Sequence, residues 1–178
     1  MPSARLSKWS SAAATRGFFL TADYAFGHSL ERGATQVIVQ NGGKVIGSVA
    51  HPFTTPDLSS FILQAQFSKG KIIGLASGPP DNVDAIKLVG ESGIFTGGQQ
   101  MAGLLVLITD VHALGLKAAQ GLLLTTSFDC DMDDKTREWS KRFFAKIDRI
   151  PTMWQAGVLF VGDPLSQGDP SHRHRRSA

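Results

Sequence analysis

Three β-type runs at a fixed interval constrain this chain more than any other feature. GFFLT opens at Gly17, KVIGSV at Lys44 and KIIGLA at Lys71, each start 27 residues after the one before. That interval accommodates a strand, a helix and two turns. Between the runs the apolar residues switch to helical spacing. Leu30, Ala34, Val37 and Ile38 share one face of a helix predicted over residues 26–41. Phe61, Ile62 and Ala65 mark a second over 57–67, with Asp57 or Ser59 as its cap. Gly42-Gly43 and Gly70 are the expected left-handed terminators of these two helices. A third helix is predicted from Pro80 or Asp81 through Ala85, Ile86 and Val89 to Gly93. Strands are predicted at 104–109 and 122–126, and a last helix at 134–147 behind an acidic run. Strands alternating with helices through short connections specify an α/β fold, a mainly parallel sheet with helices on both faces.

Composition narrows the function. The 178 residues are room for one domain or a single lobe, and 42% hydrophobic content is enough to bury a core. The net charge of +3 is carried by Arg173, Arg175 and Arg176; without them 18 − 3 = 15 basic residues face 15 acidic ones. A neutral body has nothing to attract phosphate, so nucleic acid is not expected as a partner. No run approaches the ~20 apolar residues of a membrane span. Cys130 stands alone, which excludes an internal disulfide and a multi-cysteine zinc site. Residues 1–16 hold Arg5, Lys8 and Arg16, no acid and no apolar run of secretory type, and read as a disordered leader. Residues 17–158 form the regular body. The segment 159–178, rich in Gly, Pro, Ser and basic residues, reads as a disordered basic tail.

The reactive motifs fail on inspection. Gly43-Lys44 and Gly70-Lys71 are followed by Val45 and Ile72, not by the hydroxyl of a phosphate loop. The turn after the first strand has one glycine, Gly27, where a dinucleotide fingerprint needs three. Gly27-His28-Ser29-Leu30-Glu31 resembles a nucleophile elbow, but Glu31 fills the second glycine position and leaves Ser29 an ordinary helix residue. Asp129, Asp131, Asp133 and Asp134 miss the calcium-loop pattern at its sixth and twelfth positions, and helix capping explains them better. His172 and His174 lie in the tail without a scaffold for a metal. No catalytic residue, cofactor or metal is expected.

Position supplies the candidate site. Ligands of parallel α/β sheets bind beyond the carboxyl ends of the strands. The loops there contain Asp23-Tyr24, the stretch from His51 to Thr55, the stretch from Ser77 to Asn82, and Asp110-Val111-His112, with a helix N-terminus opening at 25–28. They offer an aromatic, hydroxyls and carboxylates but no nucleophile with an adjacent base, which suits binding rather than catalysis.

Long collinear runs carry a family resemblance. GFFLTADYAFGHSLERGATQVIVQNGGKVIGSVAHPF, DLSSFILQAQFSKGKIIGLAS, GLLVLITDVHALGLKAAQGLLLTTSF, DDKTREWSKRFFAKI and PTMWQAGV resemble bacterial ABC-transporter substrate-binding proteins of the branched-chain amino-acid (leucine-binding) type, over 17–158. The resemblance implies a periplasmic-binding-protein-like fold, two Rossmann-like lobes joined by a hinge and closing on a small ligand. The strand entering Asp23-Tyr24-Ala25-Phe26-Gly27 resembles the opening of the second lobe. On that reading the signal peptide and most of the first lobe are missing, and 159–178 departs from the family as a truncation or frameshift would. The resemblance implies Tyr24, Phe26, Ser77, Gly78 and Asp110 as ligand-binding residues, with an acid at Asp110 placed to pair with an ammonium. It implies an amino acid or related solute as ligand, a membrane permease as partner and a periplasmic location. A ligand-sensing module of the same fold and a flavodoxin-like enzyme remain as alternatives.

Overall fold

The computed structural model describes residues 16–92 and 98–162. Expectations for the leader, for Gly93, and for His172, His174 and the rest of the tail beyond 162 lie outside them. Two compact units divide the chain, Met1–Ser127 and Phe128–Ala178.

The first unit is the predicted α/β arrangement. Strands β1 (Arg16–Ala22), β2 (Lys44–His51), β3 (Ile72–Ala76), β4 (Gln100–Gly103) and β5 (Leu123–Leu124) form one parallel sheet in the order β2-β1-β3-β4-β5. Helices α1 (Ala25–Gln40), α2 (Ser59–Phe67), α3 (Asp81–Ser92) and α4 (Ile108–Leu114) connect them. The period-two alternation of the central strands divides the core in two. Phe19 and Ala76 pack with Ile38, Leu30 and Ala34 of α1 on one face. Leu20, Ile73 and Leu75 pack with Ile62 and Ala65 of α2 and Ala85, Ile86 and Val89 of α3 on the other. β3 is buried along its whole length, as a strand covered on both faces must be.

Four expectations are corrected. The apolar run at 104–109 is not the fourth strand, which lies earlier at Gln100–Gly103, in register with Ile72–Leu75. The run instead crosses from strand to helix, with Val106 sunk in the core and Ile108 starting α4. A short apolar run has no period that separates strand from buried connection. At the end of α2 the left-handed residue is Lys69 (φ 56) rather than Gly70. Gly70 lies against Phe18, whose Cβ would be 2.9 Å from a Cβ built at 70. Arg16 belongs to β1 rather than to the leader. The backbone of 159–162 belongs to the helix that starts at Met153 rather than to the tail.

The second unit contains α5 (Asp134–Ile147) and α6 (Met153–Gly162). Asp133 caps α5: its carboxylate accepts from the Thr136 amide at 2.8 Å, and the Thr136 hydroxyl accepts from the Asp133 amide at 2.9 Å. Phe128 meets Trp139 of α5 edge-on at 5.4 Å, and Trp139 lies 5.5 Å from Phe143 one turn along the same helix. No helix among the described residues is long and apolar enough to cross a membrane.

Candidate functional site

Strand register brings the candidate loops to one edge. Ala22 pairs with His51, and Thr21 pairs with Ala76, so β1, β2 and β3 end at the same level. From β1 the chain passes to β2 on one side, and from β2 it crosses back to β3 on the other side of β1. This reversal is the topological switch point at which open α/β sheets bind ligands. Tyr24 follows β1 there, and Ser77-Gly78 follows β3.

The close approach of α1 builds the first wall. Gly27 is buried in its first turn, where a Cβ would collide with the Ala22 carbonyl oxygen and lie 3.0 Å from that of Ala76. The missing side chain lets the helix start directly over the ends of β1 and β3. Tyr24, its N-cap, makes no side-chain cap. Its ring lies 4.8 Å from Phe53 and 6.0 Å from Phe26, centroid to centroid. Phe26 and Phe53 are 41% and 44% exposed, so the cluster is an open aromatic face rather than core. Beside it the exposed His28 Nε2 meets the Asp23 carboxylate at 2.8 Å.

α3 begins with a buried polar pair that ties the neighbouring loops together. Asn82, fully buried, accepts from the Ser77 hydroxyl at 2.5 Å and donates to the carbonyls of Ser77 (2.8 Å) and Leu105 (2.6 Å). It thereby fastens the loop after β3 to the loop after β4. Asp81, 2% exposed, accepts from the Thr54 amide at 3.1 Å, and its carboxylate lies 3.8 Å from Nδ1 of the buried His51. That Nδ1 donates to the Pro52 carbonyl at 3.0 Å, and Nε2 has no partner.

The sequence-predicted residues therefore fall in different settings. Tyr24 and Phe26 stand on the aromatic face, and Gly78 adjoins Tyr24. Ser77 is buried with its hydroxyl engaged by Asn82. Asp110 lies in the first turn of α4, not in the loop after a fourth strand, because that strand ends seven residues earlier, at Gly103. Its carboxylate accepts from the Leu107 amide at 2.9 Å, which closes the helix start. Phe53 and Asn82 sit within stretches the sequence marked, but nothing in the sequence singled them out. A phenylalanine after Pro52 and an asparagine opening a helix look like ordinary loop and capping residues.

A second concavity lies in the other unit, lined by Cys130, Arg137, Ser140, Lys141, Phe144 and Pro151. Burial pushes the Cys130 thiol up, with Asp129 adding to the shift, so the thiolate is scarce at neutral pH. Among the described residues no group of three or more acidic, histidine or cysteine side chains could hold a metal.

Comparison with known proteins follows the same lines. A family model described as periplasmic binding protein matches residues 3–165. A solved periplasmic binding protein from Burkholderia mallei is 47% identical, with a TM-score of 0.76, over 85% of this chain and 40% of that one. A branched-chain amino acid ABC transporter periplasmic ligand-binding protein from Burkholderia xenovorans LB400 is 35% identical, with a TM-score of 0.76, over 85% and 41%. An ABC-transporter solute-binding protein from R. palustris in complex with benzoate is similar in fold alone, at 18% identity and a TM-score of 0.74, over 92% and 48%. The chain thus spans less than half the length of these solved relatives. No curated protein matches it.

Proposed function

Because this chain belongs to the periplasmic binding protein family, we propose that it provides one wall of the solute site of an ABC uptake system. Family members are binding proteins, not enzymes. The observation that carries the reading is the open aromatic face of Tyr24, Phe26 and Phe53 at the switch point, next to the side-chain-free Gly78. An apolar or planar part of a small solute lies against the rings, and Gly78 lets the backbone come close to it. Ser77 and Asp110 act from behind, holding the loops through Asn82 and Leu107. A permease partner and a periplasmic location accompany the reading.

An amino acid such as leucine and an aromatic acid such as benzoate both fit these terms. The first follows the Burkholderia xenovorans relative, and the second suits three aromatic rings. Two-lobed binders gain affinity by closing over the ligand. The 178-residue chain contributes contacts from one side only, so by itself it binds weakly.

Amide chemical-shift mapping of the labelled chain with millimolar leucine and then benzoate tests this. The reading expects changes confined to Tyr24, Phe53, Gly78 and their neighbours. Changes elsewhere with an unmoved rim contradict it.

A further inference from the structure

We infer that Asp81 is a positioning residue whose buried carboxylate holds the loop after β2 so that Phe53 lies against Tyr24. The inference rests on the reading of that rim as ligand-facing and extends it to a residue that touches no ligand.

Asp81 opens α3, where an acid ordinarily caps its own helix. Here the first-turn amides of Val83 and Asp84 bond instead to the Pro80 carbonyl. The Asp81 carboxylate is directed to Thr54, 27 residues earlier in the chain. Thr54 sits at φ 57, a left-handed conformation that a β-branched residue adopts only when its surroundings impose it. The hydrogen bond from its amide to Asp81 is such an imposition. On the other side of Phe53, the Pro52 carbonyl accepts from His51 Nδ1. Phe53 is therefore flanked by two backbone groups, each bonded to a buried side chain, and those side chains lie 3.8 Å apart. Phe53 is 44% exposed, and its ring meets that of Tyr24 at 4.8 Å. Its place on the rim depends on its backbone, and its backbone is held by Asp81.

Tyr24 is the single tyrosine of the chain. Uniform 3-fluorotyrosine labelling therefore gives one fluorine resonance, which senses the ring currents of its neighbours. Phe53→Leu calibrates the shift produced by losing the ring. Asp81→Ala is expected to move the resonance in the same direction. Asp81→Asn, whose amide oxygen still accepts from Thr54, is expected to leave it near the wild-type position. A folded Asp81→Ala chain with an unmoved resonance overturns the inference, and so does an Asn variant that behaves like the Ala variant. Should Asp81→Ala not fold, hydrogen exchange at the wild-type Thr54 amide decides: protection supports the bond, and exchange at the unstructured rate overturns it. Millimolar benzoate and leucine added to the wild-type chain separate the two claims. A resonance that ignores both solutes contradicts the binding reading and leaves the role of Asp81 standing.

Discussion

The Tyr24 hydroxyl stands beside Gly78: a Cβ built at position 78 would lie 3.9 Å from it and 3.8 Å from a Leu105 methyl. Three loops, after β1, β3 and β4, thus converge on a residue without a side chain. The space admits a methyl group at ordinary contact distance. Position 78 is buried but a Cβ there makes only ordinary contacts, so Gly78→Ala is expected to change stability by no more than about 1 kcal/mol. Gly78→Leu should displace Tyr24 and abolish the response of the rim amides to leucine and benzoate. Urea denaturation and the same shift mapping check both expectations; a Leu variant with an unaltered response would show that the position faces no ligand.

Gly27 is a stricter case, because the obstacle is backbone. A β-carbon there meets the Ala22 carbonyl oxygen, so α1 or the end of β1 must move. Gly27→Ala should cost about 1–3 kcal/mol, the usual penalty for overpacking a close contact. An unchanged urea midpoint would mean that the helix start has more freedom than its geometry implies.

Asn82 fills three hydrogen-bonding roles while fully buried. Asn82→Leu leaves the Ser77 hydroxyl and the carbonyls of Ser77 and Leu105 to find other partners, at about 1–3 kcal/mol for each one orphaned. Set against a typical domain stability of about 5–15 kcal/mol, that loss should be severe. A variant within experimental error of wild type in thermal denaturation would show that water replaces the amide.

The cap of α5 predicts a pH dependence. The Thr136 amide holds the Asp133 carboxyl below the ordinary carboxylate value. A depressed folded value means the cap contributes fully above the unfolded value of about 3.9 and is lost as pH falls through the lower folded value. The Asp133 carboxyl and the Thr136 amide should titrate together in that acid range. Asp133→Asn, which caps without a charge, should remove the Thr136 response. Persistence of the response in the Asn variant would assign it to another group.

Legibility in the sequence followed the regularity of the physics. The first three strands and the helices between them were readable because an amphipathic period and a 27-residue interval agreed. The fourth strand was not. Gln100-Met101-Ala102-Gly103 has little β character of its own and is a strand because β3 offers it a free edge, whereas Leu104 to Ile108 looks like a strand and crosses to a helix. α4 is hidden in the sequence because its N-cap is Leu107, which gives no capping signal, and Asp110 looks like a loop acid for the same reason. At the site, the strand-end rule located the loops of Tyr24 and Gly78 but could not foresee which side chains hold them. Asp81 and Asn82 look like two ordinary helix-start residues. Their bonds reach Thr54 and Leu105, contacts that exist only once the sheet has formed.

The claim beneath these predictions is that the switch-point rim is one wall of a site that other parts of a two-lobed protein complete. Calorimetric titration of leucine and of benzoate into the 178-residue chain tests it most directly. The account predicts weak association, saturating only toward millimolar solute. Micromolar affinity for either solute would show that the chain encloses its ligand unaided, and would contradict it.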